Sequence, residues 1–331
     1  MMVAHLSEKV RTLLKRIALP QDGALVIDIG SNDGTTLSAY PRGTFTCVGV
    51  DPTGEKFRRF YPEHIDLIAD FFSAETVRKH VGDRKATIVT SFSMFYDLEE
   101  PMKFMNEVCE MLDRNGVWVF EQSYMPKMLK QNSYDTVCHE HLEYYGLRQI
   151  KWMADRVGLE LIDVEFNDVN GGSVSVVAAK RGSTHVISKR VDDALALEAT
   201  EGLDSLTPFE AFADRVARSR SELRGFLDQA RREGKKVEAL GASTKGNVLL
   251  QYCHITEDDV AKVGEVNTDK VGAYTPGTLI PIASEEEVVA ERPDYLLLLP
   301  WHFRQFFISN PKFSGRSFLL PLPILEVARC A

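Results

Sequence analysis

Cysteine is scarce in this chain and falls in no pattern: Cys47, Cys109, Cys138, Cys253 and Cys330 form no CxxC pair. An odd, scattered set excludes a disulfide framework and fits a reducing cytoplasm. A surplus of positive charge is missing too. With 39 Lys and Arg against 48 Asp and Glu, the formal net charge is -9, which argues against nucleic-acid binding through a cationic face. No apolar run is long enough to span a bilayer. Residues 1–18, with Lys9, Arg11, Lys15 and Arg16 spread through them, read as an amphipathic helix without a signal-peptide pattern. No membrane partner is therefore expected. What remains is an ordinary globular composition, 44% hydrophobic and 26% charged, in a chain of 331 residues, long enough that two domains are expected.

From residue 24 short apolar runs alternate with helical patterns, the signature of an α/β fold with a parallel sheet covered on both faces. Strands are expected at residues 24–29, 44–50, 65–69, 86–91 and 116–121, a hairpin at 159–166 and 173–179, and a helix at 102–112. The first strand runs into Gly30-Ser31-Asn32-Asp33-Gly34, and a helix starts at Thr35. A glycine turn there lets a ligand approach the backbone at a helix N-terminus. The GxGxxG spacing of a dinucleotide site is absent, and Asp28 and Asp33 would repel a pyrophosphate. They suit a cationic or zwitterionic ligand such as the amino-acid end of S-adenosylmethionine. Asp51, closing the second strand, can accept hydrogen bonds from both hydroxyls of a ribose, and Asp70 with Phe71 can bind and stack an adenine. The plainer alternatives are a capped turn without ligand and, for Asp70, a helix N-cap before two core phenylalanines. Open α/β sheets place ligands at strand ends. Ser91, Phe92 and Tyr96 after the fourth strand, and Glu121, Gln122 and Tyr124 after the fifth, are expected to face the cleft.

Residues 135–145 read Asp-Thr-Val-Cys-His-Glu-His-Leu-Glu-Tyr-Tyr. Two imidazoles, His139 and His141, beside the carboxylate of Glu140 can form a general base with its orienting partner. On an extended segment His139 and His141 would point the same way and could share a metal. No second His/Cys cluster supplies further ligands, so no metal is assigned. A surface loop is the third reading.

The second half carries an acidic, alanine-rich stretch at 192–206, and Pro208 then begins a helix to about residue 232. Phe209, Phe212, Val216, Leu223 and Phe226 fall at helical spacing among arginines expected to form a solvated face. This helix joins the domains and offers a surface for a homodimer contact. A strand at 235–240 runs into a second glycine loop, Gly241-Ala-Ser-Thr-Lys-Gly-Asn247. It carries Lys245 and hydroxyls and no acid, which favours a phosphate and so the diphosphate of a sugar nucleotide. Strands at 262–266 and 295–299 complete a smaller α/β unit, with Glu265, Asn267 and Thr275-Pro-Gly-Thr278 at strand ends. Trp301-His302-Phe303 reads either as a closure of the cleft or as core at a helix start.

Taken in order, Asp28-Ile-Gly-Ser-Asn-Asp-Gly34, Asp51, Asp70-Phe71, Cys138-His-Glu-His141, Asn170-Gly-Gly-Ser173, Gly241–Asn247, Thr275–Thr278 and Pro300-Trp-His-Phe303 resemble the S-adenosylmethionine-dependent sugar C-methyltransferases. These enzymes act on nucleotide-linked 4-keto deoxysugars, and the resemblance covers nearly the whole chain. It implies a class I methyltransferase (Rossmann-like) domain at 1–183, a helical connector at 184–232 and a smaller Rossmann-like domain at 233–331 for the sugar nucleotide. The implied cofactor is S-adenosylmethionine, leaving S-adenosylhomocysteine, held by Asp28, Gly30, Asn32, Asp33, Gly34, Asp51, Asp70, Phe71 and Ser91. The implied substrate contacts are Tyr96, Glu121, Gln122, Tyr145, Asn170, Gly171, Ser243, Thr244, Lys245, Asn247, Glu265, Asn267 and Thr275.

In the family the second histidine of His-Glu-His, here His141, removes the proton alpha to the ketone, and the enolate attacks the sulfonium methyl. Such a proton is weakly acidic, so a base and stabilisation of the enolate oxygen must act together. Glu140 is expected to orient the base and His139 to donate to the keto oxygen. Relatives commonly open with a cysteine-rich zinc module, expected to be lacking here. They often carry a tyrosine where this chain has Cys138, and a histidine where it has Phe95. The competing functions are an O-methyltransferase on a sugar or small molecule, an NAD-dependent sugar-nucleotide dehydrogenase, which the missing GxGxxG disfavours, and a binding protein that senses a sugar nucleotide.

Overall fold

The computed structural model describes residues 2–16 and 23–330. In chain order the first elements are α1 (Met2–Arg16), β1 (Ala24–Ile29), α2 (Thr35–Ser38), β2 (Phe45–Val50), β3 (Ile65–Ile68), α3 (Ala74–Val81), β4 (Ala86–Phe92), α4 (Pro101–Met111), β5 (Leu112–Ser123), α5 (Met125–Lys130), α6 (Leu147–Arg156), β6 (Leu159–Asn167), β7 (Ser173–Lys180) and α7 (Lys189–Thr200). The remainder are α8 (Thr207–Arg232), β8 (Val237–Leu240), α9 (Thr244–Tyr252), β9 (Val263–Glu265), β10 (Ile282–Ser284), α10 (Glu285–Ala290), β11 (Tyr295–Leu298), α11 (Arg304–Ile308), β12 (Ser317–Leu320) and β13 (Glu326–Arg329). The helix expected over 1–18 is α1; residues 1, 17 and 18 lie outside the described residues. Among the described residues no helix is long and apolar enough to cross a membrane.

By their internal contacts the residues form two compact units, Met1–Tyr124 with Leu142–Thr200, and Met125–His141 with Glu201–Ala331. This differs from the three consecutive segments expected. The connector is divided at Thr200, and the segment carrying His-Glu-His is counted with the second unit although it follows β5 of the first.

The first unit is a seven-stranded sheet in the order β3-β2-β1-β4-β5-β7-β6. Strands β1 to β5 pair in parallel, and β7 runs antiparallel between β5 and β6. This is the class I methyltransferase arrangement. Strand β1 is buried from Leu25 to Ile29, as a central parallel strand covered on both faces must be, hence its unbroken apolar run. On one face Trp118 stacks on Phe120 at 4.0 Å and Phe95 packs 5.6 Å from Trp118; on the other, Val10 and Leu13 of α1 join Leu37 and Tyr40. The chain leaves β1 toward β2 and β3 and returns to β4 on the other side, which opens a crevice at the carboxyl end of β1.

The second unit repeats the plan in six strands, β10-β9-β8-β11-β12-β13, with only β13 antiparallel. Here the reversal lies between β8 and β11. Helix α8 sinks Leu223, Leu227 and Ala230 into this core. Its arginines are less uniformly solvated than expected. Arg224 donates to Asp259 at 2.7 and 3.1 Å and to Asp228 at 2.8 Å, Arg215 donates to the Leu129 carbonyl at 2.6 Å, and Arg220 sits 5.3 Å over the Tyr252 ring. Strand β5 begins at Leu112, four residues ahead of the start expected at residue 116.

Helix α6 starts at Gly146, which has no side chain to cap it. Glu198 of α7 does so instead, accepting from the backbone N–H of Leu147 at 2.6 Å and of Arg148 at 2.8 Å and from the Tyr124 hydroxyl at 2.8 Å. A carboxylate at a helix N-terminus opposes the orphan N–H dipoles. Glu198→Ala is expected to lower unfolding stability by about 2–3 kcal/mol, as a buried acceptor shared by three donors should; a urea midpoint unchanged from wild type would show that the cap contributes nothing.

Candidate active site

In the first unit Gly30, Asn32 and Gly34 all have left-handed backbones, with φ of 71°, 48° and 74°, and Gly34 opens α2. Asp51 holds this loop. Its carboxylate accepts from the Asn32 N–H at 2.8 Å and from the Thr53 N–H and hydroxyl, both at 2.7 Å. Tyr61, which sequence reasoning missed, clamps the loop from outside, its hydroxyl 2.8 Å from Ser31 Oγ and donating to the Asn32 carbonyl at 2.9 Å. A Cβ on Gly34 would lie 3.2 Å from the Tyr61 ring, and one on Gly49 2.6 Å from Ser31 Oγ. Both glycines therefore set the close approach of strand, loop and ring. Nothing in the local sequence signals Tyr61, because it reaches the loop from beyond β2.

The expected donor residues separate into three groups. Asp33 is half-buried and caps α2 through Thr35, accepting from its N–H at 3.1 Å and its hydroxyl at 2.6 Å. Asn32, Asp70 and Phe71 are exposed, Phe71 at 75%. Asp70 is not the N-cap of α3, since Ser73 takes that place by accepting from the Thr76 N–H at 3.0 Å. Asp28 and Ser91 do not present their side chains to a ligand. Asp28 is buried, hydrogen-bonded to Thr90, and burial pushes its pKa up to about 7 against the lowering effect of the Thr90 and Thr36 hydroxyls. Ser91 accepts from Trp118 Nε1 at 3.0 Å within the core.

Glu121 is also placed elsewhere than expected. Alternation along β5 turns it toward α1, where it meets His5 Nε2 at 2.6 Å and Lys9 Nζ at 3.1 Å and accepts from Asn167 Nδ2 at 2.9 Å. Burial would raise its pKa, but His5 and Lys9 outweigh that and hold it below the usual range. Its neighbour Gln122 is 1% exposed, and neither side-chain amide atom has a hydrogen-bond partner among the described residues. The Tyr145 hydroxyl is likewise buried without one. Tyr96 is buried and its carbonyl accepts from Leu142 and Glu143, both at 3.0 Å. Asn170 and Gly171 form the left-handed turn before β7, whose Gly172 carbonyl accepts from the Tyr124 N–H at 3.1 Å.

The His-Glu-His run lies in the second unit, and it is a turn: the His141 N–H donates to the Cys138 carbonyl at 3.2 Å. The extended geometry that would let His139 and His141 share a metal is not present. His139 and Glu140 are exposed; His141 is half-buried. Burial first, then the positive charge of Lys245, lower the His141 pKa, while Glu140 and a hydrogen bond to the Thr136 backbone oppose this. A ring nitrogen that donates to a carbonyl leaves the other as the lone-pair base. Asp135 is 1% exposed and accepts from Trp301 Nε1 at 2.8 Å. Burial raises its pKa, with Lys245 and Trp301 opposing; Lys245 is itself lowered by burial and raised by Asp135 and Cys138.

Around the second glycine loop Ser243 caps α9 through the Gly246 N–H at 3.1 Å. Lys270 donates to the Ala242 carbonyl at 2.7 Å. Glu265 accepts from Val266 and Asn267 N–H groups at 2.8 and 3.0 Å, and Asn267 caps the next turn through Asp269 at 3.0 Å. Thr275 is fully buried in its own turn, on Thr278 at 2.7 Å and the Ile280 N–H at 2.9 Å, so its side chain is not offered to a ligand. A cavity of about 660 Å³ lies between Cys138 and His139 on one side and Thr244, Asn247 and Gln251 of α9 on the other; His141 and Lys245 are not in its wall.

A methyltransferase-domain family model matches residues 2–164, and a model described as the C-methyltransferase C-terminal domain matches residues 168–323. The C-methyltransferase NovU of Streptomyces niveus is 32% identical over 326 residues, covering 97% of this chain and 77% of that protein. Among solved structures, the YcgJ protein of Bacillus subtilis aligns with 54% of this chain and 99% of its own at 14% identity and a TM-score of 0.41. A SAM dependent methyltransferase from Aquifex aeolicus aligns with 52% and 88% at 16% identity and a TM-score of 0.38.

Asp28 makes a pH-dependent contribution whose sign follows from its shift. The folded protein keeps a proton there up to about pH 7, whereas an unfolded aspartate has lost it above about 3.8. Stability from this group is therefore complete below the unfolded value and lost as pH rises through about 7. Thermal melts at about pH 5 and pH 8 are expected to show a smaller loss of midpoint for Asp28→Asn than for wild type; equal losses would mean that Asp28 titrates normally.

Proposed function

Because the chain belongs to the S-adenosylmethionine-dependent C-methyltransferases, we propose that it methylates the carbon alpha to the ketone of a nucleotide-linked 4-keto deoxysugar, with His141 as the base. The observation that carries this reading is His141 in the turn after Cys138, a half-buried imidazole whose pKa is lowered by burial first and then by the positive charge of Lys245. A neutral imidazole is what proton abstraction at near-neutral pH requires. Methyl transfer to a hydroxyl would also use a base, but it would not require the stabilised enolate that a carbon nucleophile does.

The donor loop fits a sulfonium amino acid better than a pyrophosphate. Asp33 and Asp51 line it, its N–H groups are partly taken by Asp51, and Phe71 presents an uncovered ring that an adenine can stack on. For the substrate, the turn from β8 into α9 offers backbone N–H groups at a helix start, and the Asn247 side-chain oxygen is buried without a partner among the described residues. The step balances without a further reactant. His141 takes the alpha proton, the C–H electrons form the enolate, its carbon bonds the methyl group, and the C–S bond breaks to leave neutral S-adenosylhomocysteine.

Titration calorimetry is expected to show S-adenosylhomocysteine binding and no NAD binding. With S-adenosylhomocysteine in place, the alpha proton of a nucleotide-linked 4-keto-6-deoxyhexose should exchange with deuterium from solvent. His141→Asn should slow this exchange by about 10²–10⁴-fold while leaving S-adenosylhomocysteine affinity unchanged. The acid limb of kcat/KM should lie below 6.5, the ordinary histidine value. Full turnover by His141→Asn would remove His141 from the mechanism, and binding of NAD alone would remove the methyl-transfer reading of this site.

A further inference from the structure

A cavity of about 330 Å³ lies wholly within the first unit, and no step of the proposed reaction uses it. Its floor is apolar, formed by Val117 and Val119 of β5, Ile162 of β6 and Val177 of β7, with Leu13 of α1 beside them. Along β5 these valines alternate with Trp118 and Phe120, which belong to the core on the opposite face, so the cavity opens on the α1 side of the sheet. One wall is pinned at both ends. The Thr184 N–H donates to Asn115 Oδ1 at 3.0 Å and the Ser188 N–H to the Ile162 carbonyl at 2.8 Å, leaving Val186 between them 90% exposed at the mouth.

Three bases and two acids rim this floor. Arg16 donates to Asp163 at 2.5 Å and to Glu165 at 2.6 Å, Arg190 donates to Asp163 and, at 3.2 Å, to Glu165, and Lys9 donates to Glu165 at 3.3 Å. Lys9 also meets Glu121, outside the cavity wall, at 3.1 Å, so the charges nearly balance. The hydrogen-bonding groups do not. Two guanidiniums and an ammonium bring about thirteen N–H donors to carboxylates that offer about eight acceptor positions. Every oxygen of Asp163 and Glu165 already accepts at least one bond, Asp163 Oδ1 from the Val164 N–H at 3.0 Å. The rim therefore has donors to spare and few acceptors. A cationic head group would add donors where none can be taken up, whereas a carboxylate brings acceptors alone and matches the fork of a guanidinium. We propose that this cavity binds an aliphatic carboxylate, its chain on the valine floor and its head on the remaining N–H groups of Arg16 and Arg190. The site is independent of the methyl-transfer reading.

The test is a calorimetric titration with octanoate, butanoate, octanol and octyltrimethylammonium, on wild type, Arg190→Met and Val186→Glu. Octanoate is expected to bind at one site. Butanoate, with fewer methylenes to bury, should bind at least about tenfold more weakly, and octanol and octyltrimethylammonium, which lack the carboxylate, weaker by about tenfold. Arg190→Met should weaken octanoate by about tenfold. Val186→Glu changes only an exposed side chain, so it serves if Arg190→Met fails to fold. Its negative charge at the mouth should weaken octanoate about three- to tenfold and leave octyltrimethylammonium no weaker. Octanoate that does not bind, that binds no better than octanol, or whose affinity neither variant moves would overturn the proposal. A wild-type dimer that ignores octanoate and that Val186→Glu dissociates would assign the cavity to a second copy of the chain, and would overturn it equally.

Discussion

The hydrogen bond from Trp301 to the buried carboxylate of Asp135 fixes the segment that leads into the His-Glu-His turn. Residues 125–141 leave β5, a strand of the first unit, yet their anchors are in the second. Tyr134 belongs to that core, Arg215 holds the Leu129 carbonyl, and Asp135 accepts from Trp301. A buried acid with one oxygen satisfied this way cannot shift without losing a charge-assisted bond in a low-dielectric surrounding. The turn that follows, with the His141 N–H on the Cys138 carbonyl, is thereby built out from a fixed point. His141 is thus held by the same unit that carries the second glycine loop.

The two glycine loops share a plan and differ in what secures them. Each lies between a strand and a helix, with an acid closing the next strand: Asp51 in one, Glu265 in the other. Asp51 spends its carboxylate on the Asn32 N–H and Tyr61 closes the loop from outside, so the first loop is shaped before any ligand arrives. In the second, Glu265 accepts from its own following N–H groups and lies 3.8 Å from Lys270 Nζ, and Lys270 closes the loop by donating to the Ala242 carbonyl.

Much of the fold was legible because central parallel strands are buried on both faces and read as continuous apolar runs; β1, β4 and β8 stand where residues 24–29, 86–91 and 235–240 suggested. The short strands β10, β12 and β13 and the caps of α3 and α6 were not, since a run of three or four residues carries no period that separates strand from turn. At the site, position in the chain was legible and direction was not. Strand-end reasoning could name Glu121 and Gln122 together, but only the register decides that Glu121 turns to α1 and Gln122 to the other face. Asp28, Ser91 and Thr275 likewise occupy the expected turns while their side chains are consumed by Thr90, Trp118 and Thr278. Contacts between residues distant in sequence, such as Tyr61 on Asn32 or Trp301 on Asp135, leave no local signal at all.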